Sequence, residues 1–237
     1  MVGQIAAMGG GGFLMDDPML DRYALEMTGA ARPRICFIPT ASGDAATAVA
    51  RFFESFPARS FEPSVLRLFD REVADLGSFL GEQDLVYVGG GNTAVMLAAW
   101  RVHGVDVALR RAYEAGVVMA GMSAGANCWF EACTTDSFLL GRADPLVDGL
   151  GFVPGSFTPH YRGEVARRPS LHALIANGDL PGGLACDDFA AVHMVAGEVV
   201  DVVASRAGSE VFRVWRTGAE TGEDALAVRL LPGAVLA

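Results

Sequence analysis

The chain of 237 residues contains no lysine, and all of its 18 basic residues are arginine. This absence excludes chemistry that depends on a lysine amine, such as a Schiff base, a P-loop or a Ser–Lys dyad. Basic residues are also outnumbered, because 28 acidic residues give a formal net charge of −10. So acidic a chain is poorly suited to neutralising phosphates, and we expect no nucleic-acid partner.

Cysteine and long apolar runs are scarce as well. The four cysteines, Cys36, Cys128, Cys133 and Cys186, form no C-x-x-C pair, which argues against a zinc ribbon or a thioredoxin-like motif. Separated thiols are typical of a reducing compartment. No apolar run reaches the roughly 18 residues of a membrane helix, and no basic leader precedes an apolar stretch at the N-terminus. We therefore expect a cytoplasmic protein without a membrane partner.

Apolar residues make up 51 % of the chain and charged residues 19 %, a mixture typical of globular domains. Short apolar runs end in turn residues and alternate with amphipathic stretches. This alternation predicts βαβ units, in which a parallel sheet is flanked by helices on both faces. The runs predicted to be strands are residues 2–8, 35–38, 65–69, 85–88 and 117–120.

Helical spacing of apolar residues predicts helices over residues 45–55, 93–103 and 105–115. Asn92 or Thr93 is the predicted N-cap of the second of these helices, because both residue types accept hydrogen bonds from free N–H groups at a helix start. The predicted strands and helices therefore alternate regularly through the first half of the chain.

The pattern changes after about residue 180. Residues 190–195, 198–204, 210–216 and 225–231 are predicted to be successive strands joined by glycine-containing turns. We expect these strands to extend the parallel sheet in an antiparallel manner at one edge. Because no internal repeat and no linker interrupts the pattern, residues 1–237 are interpreted as a single α/β domain.

Two glycine-rich turns follow predicted strands, at the sheet edge where α/β proteins bind ligands. Residues 9–12 are four glycines without the G-x-G-x-x-G spacing, so a tight turn or a loop flanking the site is favoured over a dinucleotide-binding role. Residues 89–91 allow backbone N–H groups to approach a ligand closely. The alternative for residues 89–91 is a simple strand-to-helix turn.

Residues 121–125, Gly-Met-Ser-Ala-Gly, fit the pattern G-x-S-x-G directly after a predicted buried strand. In this pattern the serine occupies a sharp, strained turn, and small neighbours remove the clashes that such a turn creates. The hydroxyl of Ser123 then projects from the top of the sheet, and the following N–H faces an oxyanion. Residues 127–130 are compatible with the helix that should follow. A purely structural turn is the alternative.

A serine nucleophile needs a general base, and the chain has four histidines. His103 ends a predicted helix, His172 lies on an amphipathic stretch where we expect it to be exposed, and His193 alternates with apolar residues in a predicted strand. His160 instead lies in a short loop between a proline and a tyrosine. Such a rigid loop suits the orientation of a base, so we favour His160.

The base in turn needs an orienting carboxylate, and two adjacent aspartates follow the apolar segment 183–186. We favour Asp188 over Asp187, and a solvated acidic turn is the structural alternative. The order along the chain is then Ser, His, Asp. An α/β-hydrolase runs Ser, Asp, His, which would require His193 close behind Asp188, so that fold is disfavoured.

Three segments together resemble a known family: residues 89–93, residues 121–127 and the tripeptide Pro159-His160-Tyr161. In this order and at these separations they resemble the peptidase E family, serine peptidases that include α-aspartyl dipeptidases and, more distantly, cyanophycinase. The likeness covers nearly the whole chain. It implies a flavodoxin-like fold, akin to class I glutamine amidotransferase domains with serine in place of their cysteine, and a mechanism without metal or organic cofactor.

The resemblance also implies roles for individual residues. Ser123 is the nucleophile, His160 is the base, Gly91 and Ala124 supply the oxyanion-hole N–H groups, and Asp188 stands where dipeptidase members carry a glutamate. The substrate-binding candidates are Gly90, Asn92, Asn127, Arg167 and Arg168. Residues 133–137 also resemble a family stretch near the site.

The two arginines decide how substrate selectivity is interpreted. A dipeptidase that selects aspartate needs a cation, and Arg167 and Arg168 lie close to the basic residue of dipeptidase members without matching its position. The forked donors of an arginine would suit a substrate carboxylate. Two solvated arginines near a helix end are the structural alternative.

We therefore predict a serine exopeptidase or dipeptidase that acts on small peptides, with an N-terminal aspartate as one option. A cyanophycinase-like or non-Asp-selective peptidase of the same fold is the first alternative. A binding module that has kept the fold without catalysis is the second. The resemblance further suggests a monomer or homodimer.

Overall fold

The structure is a computed structural model that describes residues 3–235, so residue 2 of the first predicted strand and both chain ends lie outside the described residues. The strands are β1 (Gln4–Met8), β2 (Arg34–Ile38), β3 (Glu62–Val65), β4 (Leu85–Val88), β5 (Val118–Met122), β6 (Phe130–Thr135), β7 (Asp144–Leu146), β8 (Val153–Thr158), β9 (Gly183–Cys186), β10 (Ala190–Val195), β11 (Glu198–Arg206), β12 (Val211–Thr217), β13 (Glu220–Ala225) and β14 (Arg229–Val235). The helices are α1 (Pro18–Met27), α2 (Ala46–Ser55), α3 (Leu76–Gly81), α4 (Thr93–His103), α5 (Val105–Ala115), α6 (Ala124–Asn127) and α7 (Arg167–Asn177).

The larger sheet of the described residues has the strand order β14-β11-β10-β1-β5-β4-β2-β3. The five strands from β1 to β3 in this order run parallel to one another. Alternate residues of β4 point to opposite faces: Val86 and Val88 join one apolar cluster, whereas Leu85 and Tyr87 join the other. Because both faces are covered, the central strands β4 and β5 are buried and apolar throughout their length. The predicted parallel sheet with helices on both faces is confirmed.

The C-terminal strands depart in part from the prediction. β10 and β11 do extend the larger sheet antiparallel beside β1. β12 and β13 instead pair with β9 in a second sheet, ordered β13-β12-β9-β8-β6-β7, and β14 lies parallel to β11. Alternating apolar residues determine which face of a strand is buried, but they do not determine which strand lies beside it.

The predicted strand over residues 65–69 was wrong in its position, because β3 ends at Val65. Leu66 and Leu68 are nevertheless fully or almost fully buried. The carboxylate of Asp44 accepts hydrogen bonds from the N–H groups of Leu68 and Phe69, at 2.6 and 3.0 Å. A side chain from a distant turn therefore supplies the partners that a neighbouring strand would supply, so the apolar run continues as a buried loop.

The helices agree closely with the prediction. α4 and α5 span the predicted residues, and α2 begins one residue later than predicted. Asn92 rather than Thr93 is the N-cap of α4, because its Oδ1 accepts the N–H of Val95 at 2.8 Å. Among the helices that the structure describes, none combines the length and the apolar character that crossing a membrane requires.

Candidate active site

Ser123 directly follows β5 in a strained conformation, with φ of +55° and ψ of −116°. A positive φ is unfavourable for a residue with a side chain, and it marks the sharp turn that the G-x-S-x-G pattern predicts. The flanking glycines make this turn possible. A Cβ atom on Gly121 would lie 2.3 Å from the carbonyl oxygen of Gly125, and one on Gly125 would lie 2.1 Å from that of Val88.

The helix after this turn is shorter than predicted. α6 ends at Asn127, and Phe130 already begins β6, so the helical interpretation of residues 127–130 was wrong. The carbonyl of Trp129 accepts hydrogen bonds from the N–H groups of Phe152 and Val153, at 2.8 and 3.0 Å. These tertiary partners draw the backbone out of the helix that the local sequence would allow.

The chain that leaves β1 holds three other segments in place through three consecutive carbonyl groups. Met8 O accepts the N–H of Ser123 at 3.2 Å, Gly9 O that of His160 at 3.3 Å, and Gly10 O that of Phe189 at 2.9 Å. The serine, the histidine and the residue after Asp188 are therefore aligned along one stretch of backbone. The glycine run 9–12 is accordingly a loop flanking the site, as predicted.

The structure distinguishes between the two adjacent aspartates. His160 Nδ1 lies 2.6 Å from Asp188 Oδ1, and both side chains are half-buried. Asp187 is buried elsewhere, where its carboxylate accepts hydrogen bonds from Arg162 Nε at 2.8 Å and from the N–H of Glu210 at 3.0 Å. The favoured aspartate, Asp188, is thus the one that reaches the histidine.

Two glycines enclose this pair, and sequence reasoning did not identify either as a site residue. A Cβ atom on Gly10 would lie 2.0 Å from Asp188 Oδ1 and 3.1 Å from His160 Cε1. A Cβ atom on Gly163 would lie 2.7 Å from Asp188 Oδ2. His160 itself has a φ of +52°. The run of four glycines after a strand was the signal available for Gly10.

His160 uses Nδ1 for Asp188, which leaves Nε2 for a serine. Within the described residues, neither His160 Nε2 nor Ser123 Oγ makes a hydrogen bond. Catalytic hydrogen bonds are often long before substrate binds and tighten in the complex, so this geometry is compatible with a nucleophile and its base.

The loop after β4 approaches the serine from the other side. A Cβ atom on Gly90 would lie 3.4 Å from Ser123 Cβ. Gly91 has a φ of +138°, and a Cβ atom there would lie 2.2 Å from the carbonyl oxygen of Ala41, so only glycine fits. In the part of the chain that is described, the N–H groups of Gly91 and Ala124 have no hydrogen-bond partner. Both are therefore available to an oxyanion.

The substrate-binding candidates Asn92 and Asn127 both donate hydrogen bonds to backbone carbonyls at the end of β6 and just after it. Asn92 Nδ2 donates to Ser137 O at 2.9 Å, and its Oδ1 caps α4. Asn127 is buried and its Nδ2 donates to Thr134 O at 3.1 Å. Arg167 Nη1 donates to the same Thr134 oxygen at 3.2 Å. Residues 133–137 thus connect the loop after β4, the end of α6 and the start of α7.

The two arginine candidates have different surroundings. Arg167 is buried, with Nε at 2.7 Å from Glu164 Oε2 and Nη2 at 3.5 Å from Asp136 Oδ1, so it is not a solvated helix-end residue. Arg168 is exposed and forms an ion pair of 2.8 Å with Glu223. The structure therefore brings Arg167, and not Arg168, to the segment 133–137 that Asn92 and Asn127 also contact.

The remaining histidines and the cysteines have other partners. His103 is exposed at the end of α4, as predicted. His172, which we expected to be exposed, is half-buried and its Nε2 lies 3.0 Å from the hydroxyl of Tyr161. All four thiols are buried, and burial raises the pKa of Cys36 and of Cys133 to about 12, so these thiols are protonated at neutral pH.

Comparison with known sequences identifies related peptidases. The model of "Peptidase family S51" matches residues 5–202. The uncharacterized peptidase YgaJ of Bacillus subtilis (strain 168) is 47 % identical over 232 residues, which are 96 % of this chain and 99 % of that protein. A peptidase E from Streptomyces coelicolor is 29 % identical over 160 residues, 64 % of each chain.

Comparison with solved structures shows the same fold. The crystal structure of a peptidase from an acI-B1 Actinobacterium has a TM-score of 0.70 at 18 % identity and covers 96 % of this chain and 95 % of that one. A putative peptidase E protein from Listeria monocytogenes EGD-e has a TM-score of 0.62 at 17 % identity, over 84 % of this chain and 98 % of that one. The flavodoxin-like fold implied by the sequence motifs is thereby confirmed.

Proposed function

Because the chain belongs to peptidase family S51, we propose that it is a serine peptidase whose triad is Ser123, His160 and Asp188. The coarser assignment, a peptidase of the peptidase E type, follows from the family itself. The observation that carries the proposal is the contact of 2.6 Å between His160 Nδ1 and Asp188 Oδ1, beside a serine in a strained turn.

In the proposed mechanism, Ser123 Oγ attacks the carbonyl carbon of the scissile peptide bond while His160 Nε2 takes its proton. Asp188 keeps the imidazole oriented through Nδ1–H and stabilises the imidazolium. The N–H groups of Gly91 and Ala124 stabilise the oxyanion. His160 then protonates the leaving amine, and it activates the water that hydrolyses the acyl-enzyme.

We propose small peptides as substrates, without selectivity for aspartate. Selectivity for an acidic residue requires a cation that is free to bind it. Arg168 is engaged by Glu223, and Arg167 is already paired with Glu164 and Asp136. These ion pairs favour the non-Asp-selective alternative over an α-aspartyl dipeptidase.

The first test is hydrolysis of a dipeptide panel by wild type, Ser123→Ala and the exposed control Ser60→Ala. The panel contains neutral, Asp-X and β-Asp-Arg dipeptides. We expect Ser123→Ala to lose at least about 10⁴-fold in turnover with an unchanged melting temperature, and Ser60→Ala to remain fully active. Full activity of Ser123→Ala would refute the proposal. Inertness of the folded wild type towards a fluorophosphonate would favour the binding-module alternative.

The proposed mechanism uses only side chains and backbone N–H groups of the chain, so we expect hydrolysis to be unaffected by a chelator. The measurement is the rate of dipeptide hydrolysis before and after incubation with EDTA, followed by removal of the chelator. Loss of activity that returns on addition of a divalent metal ion would contradict a purely protein-based triad.

A further inference from the structure

We propose that a cavity walled by the loop that follows His160 binds an apolar side chain of the substrate next to the scissile bond. This inference rests on the proposed function and deepens it by naming the substrate class. The cavity has a volume of about 670 Å³ and lies between the loop after β6 and the loop after His160. We call it the side pocket, and its apolar wall consists of Leu140, Ala143, Val165, Ala166 and Pro169.

Hydrogen bonds tie the side pocket to the proposed base on one side. The N–H of Glu164 donates to the carbonyl of His160 at 2.9 Å, and Glu164 to Arg167 form one wall of the pocket. Arg167 shares the Thr134 oxygen with Asn127, the last residue of the helix that follows the serine. The wall of the pocket is thus joined by hydrogen bonds to the loop that contains His160 and to α6, the helix that follows Ser123.

The opposite wall is tied to the proposed oxyanion hole. Asp136 lines the pocket and precedes Ser137, whose carbonyl accepts the amide of Asn92. Ser137 Oγ also accepts the N–H of Ala94, in the first turn of α4. Because Asn92 directly follows Gly91, this wall is joined by hydrogen bonds to the loop that carries one of the proposed oxyanion-hole N–H groups.

The charges of the side pocket disfavour an acidic occupant. The exposed cation of the pocket lining, Arg142, is paired with Asp144. The buried cation, Arg167, is paired with Glu164 and Asp136, whose side chains are 47 % and 36 % exposed. A substrate carboxylate would have to approach these two carboxylates before it reached the guanidinium. Like charges brought together at short range oppose binding, so the pocket discriminates against aspartate and glutamate.

The apolar wall favours a hydrophobic occupant. Leu140 is 90 % exposed and Val165 is 94 % exposed, although both border a concave cavity. Neither side chain is covered by another described part of the chain. Small-molecule sites are typically apolar concavities with a few polar groups, and a leucine-sized side chain would cover both residues and release their water.

The experiment compares kcat/KM for Ala-Ala, Leu-Ala, Ala-Leu, Asp-Ala and Ala-Asp. We expect leucine to exceed alanine at one of the two positions by roughly 10-fold or more, a range typical of a hydrophobic pocket. Aspartate at that position should be cleaved more slowly than alanine. Equal or faster cleavage of the aspartate peptides would overturn the pocket assignment.

Three substitutions test the pocket walls. Leu140→Ser and Val165→Ser should each reduce the leucine preference, the ratio of kcat/KM for the leucine peptide to kcat/KM for Ala-Ala, about 5- to 10-fold, because each substitution removes apolar contact with the leucine side chain. Val102→Ser is the matched control, since Val102 is 83 % exposed on α4, outside the pocket lining. Glu164→Gln should raise the rate for aspartate relative to leucine about 10-fold, because it removes one charge that neutralises Arg167.

Failure of the pocket and failure of the proposed function give different results. If hydrolysis depends on Ser123 but the Leu140 and Val165 variants keep the wild-type preference, only the pocket assignment is wrong. If the folded enzyme cleaves no peptide in a Ser123-dependent manner, both the proposed function and the pocket assignment are wrong.

Discussion

Two neighbouring aspartates at the candidate site differ in what they touch. Asp188 contacts the imidazole of His160, whereas Asp187 is buried against Arg162 and a backbone N–H. In the proposed triad the first contact orients the base, whereas the second compensates a buried charge. Neighbouring residues of the same type therefore have separate consequences for catalysis and for stability.

We predict that Asp188→Asn lowers kcat by about 10⁴-fold with little effect on folding, because an amide stabilises the wrong tautomer of His160. Asp187→Asn should instead destabilise the fold by about 1–3 kcal/mol, because a neutral amide weakens the charged hydrogen bonds that the buried carboxylate accepts from Arg162, which keeps Glu210 as a partner. Turnover and urea unfolding of the two variants separate these effects. If Asp187→Asn instead lost turnover and Asp188→Asn lost stability, Asp187 would be the triad member.

Asp21 is a second residue with an unusual environment. It lies in α1, almost completely buried, and neither carboxyl oxygen has a hydrogen-bond partner among the described residues. Burial raises the pKa of Asp21 to about 7. The folded protein therefore holds a proton on this group between about pH 4 and pH 7 that the unfolded chain has released.

The sign of the resulting pH dependence follows from this difference in bound protons. The free energy of unfolding should fall as pH rises from about 4 to 7, by up to about 4 kcal/mol. Asp21→Asn, which stays neutral, should abolish that fall and stabilise the protein above pH 7. Urea unfolding at pH 5 and pH 8 measures the free energy of unfolding of wild type and Asp21→Asn, with Asp70→Asn at an exposed position as control. Parallel pH profiles for wild type and Asp21→Asn would contradict the prediction.

Among the elements, the end of β1 and the loop that follows it position the residues of the candidate site. Its consecutive carbonyl groups bind the backbones of Ser123, His160 and Phe189. Such a loop can approach three other segments only if it lacks side chains. This stretch of backbone thereby brings Ser123, His160 and the residue after Asp188, which are distant along the chain, to one place in the fold.

We predict that Gly10→Ala lowers kcat/KM by about 10²-fold with little loss of stability. The added Cβ would lie 2.0 Å from Asp188 Oδ1. The Asp188 side chain can move aside to relieve this clash, and the movement would displace its carboxylate from His160. Gly81→Ala is the control, because a Cβ there has nothing within 4 Å. Dipeptide hydrolysis and thermal unfolding measure the two variants. Wild-type kcat/KM in Gly10→Ala would show that the enclosure of Asp188 is not required.

At the scale of the whole molecule, the second sheet supports the base loop. Tyr161 follows His160 and is fully buried, and its hydroxyl donates a hydrogen bond to Glu223 of β13. Glu223 also contacts His172 at 2.9 Å and Arg168 at 2.8 Å, both on α7. Burial alone would raise the pKa of Glu223, but these hydrogen bonds and the guanidinium hold it below its ordinary value.

A carboxylate with a lowered pKa stabilises the fold above its unfolded pKa, and this stability is lost as pH falls through the folded pKa. Glu223→Gln should therefore cost about 1–3 kcal/mol at pH 7, and the difference should shrink as the pH falls below the ordinary pKa of glutamate and through the lowered pKa of Glu223. Urea unfolding across pH tests this, with the exposed Glu220→Gln on the same strand as control. A loss that is independent of pH would exclude a role for the ionised carboxylate.

Local patterns in the sequence were sufficient to predict much of the fold. The limits of α4 and α5 and the glycine-flanked turn at Ser123 follow from apolar spacing, caps and small residues, which act over a few neighbours. The position of β3 and the length of α6 could not be predicted in this way. There, Asp44 and the segment 152–153 supply partners from elsewhere in the chain.

The sequence by itself determined the parallel α/β class, the strained turn at Ser123 and the short list of histidines and aspartates that could serve it. Only the tertiary structure decided that Asp188 rather than Asp187 meets His160, that Arg167 is buried between two carboxylates, and that β12 and β13 join a second sheet. The physical reason is that backbone propensity and apolar periodicity are properties of neighbours in the chain. Hydrogen bonds, ion pairs and sheet edges instead join residues that are far apart in the chain and meet only when it folds.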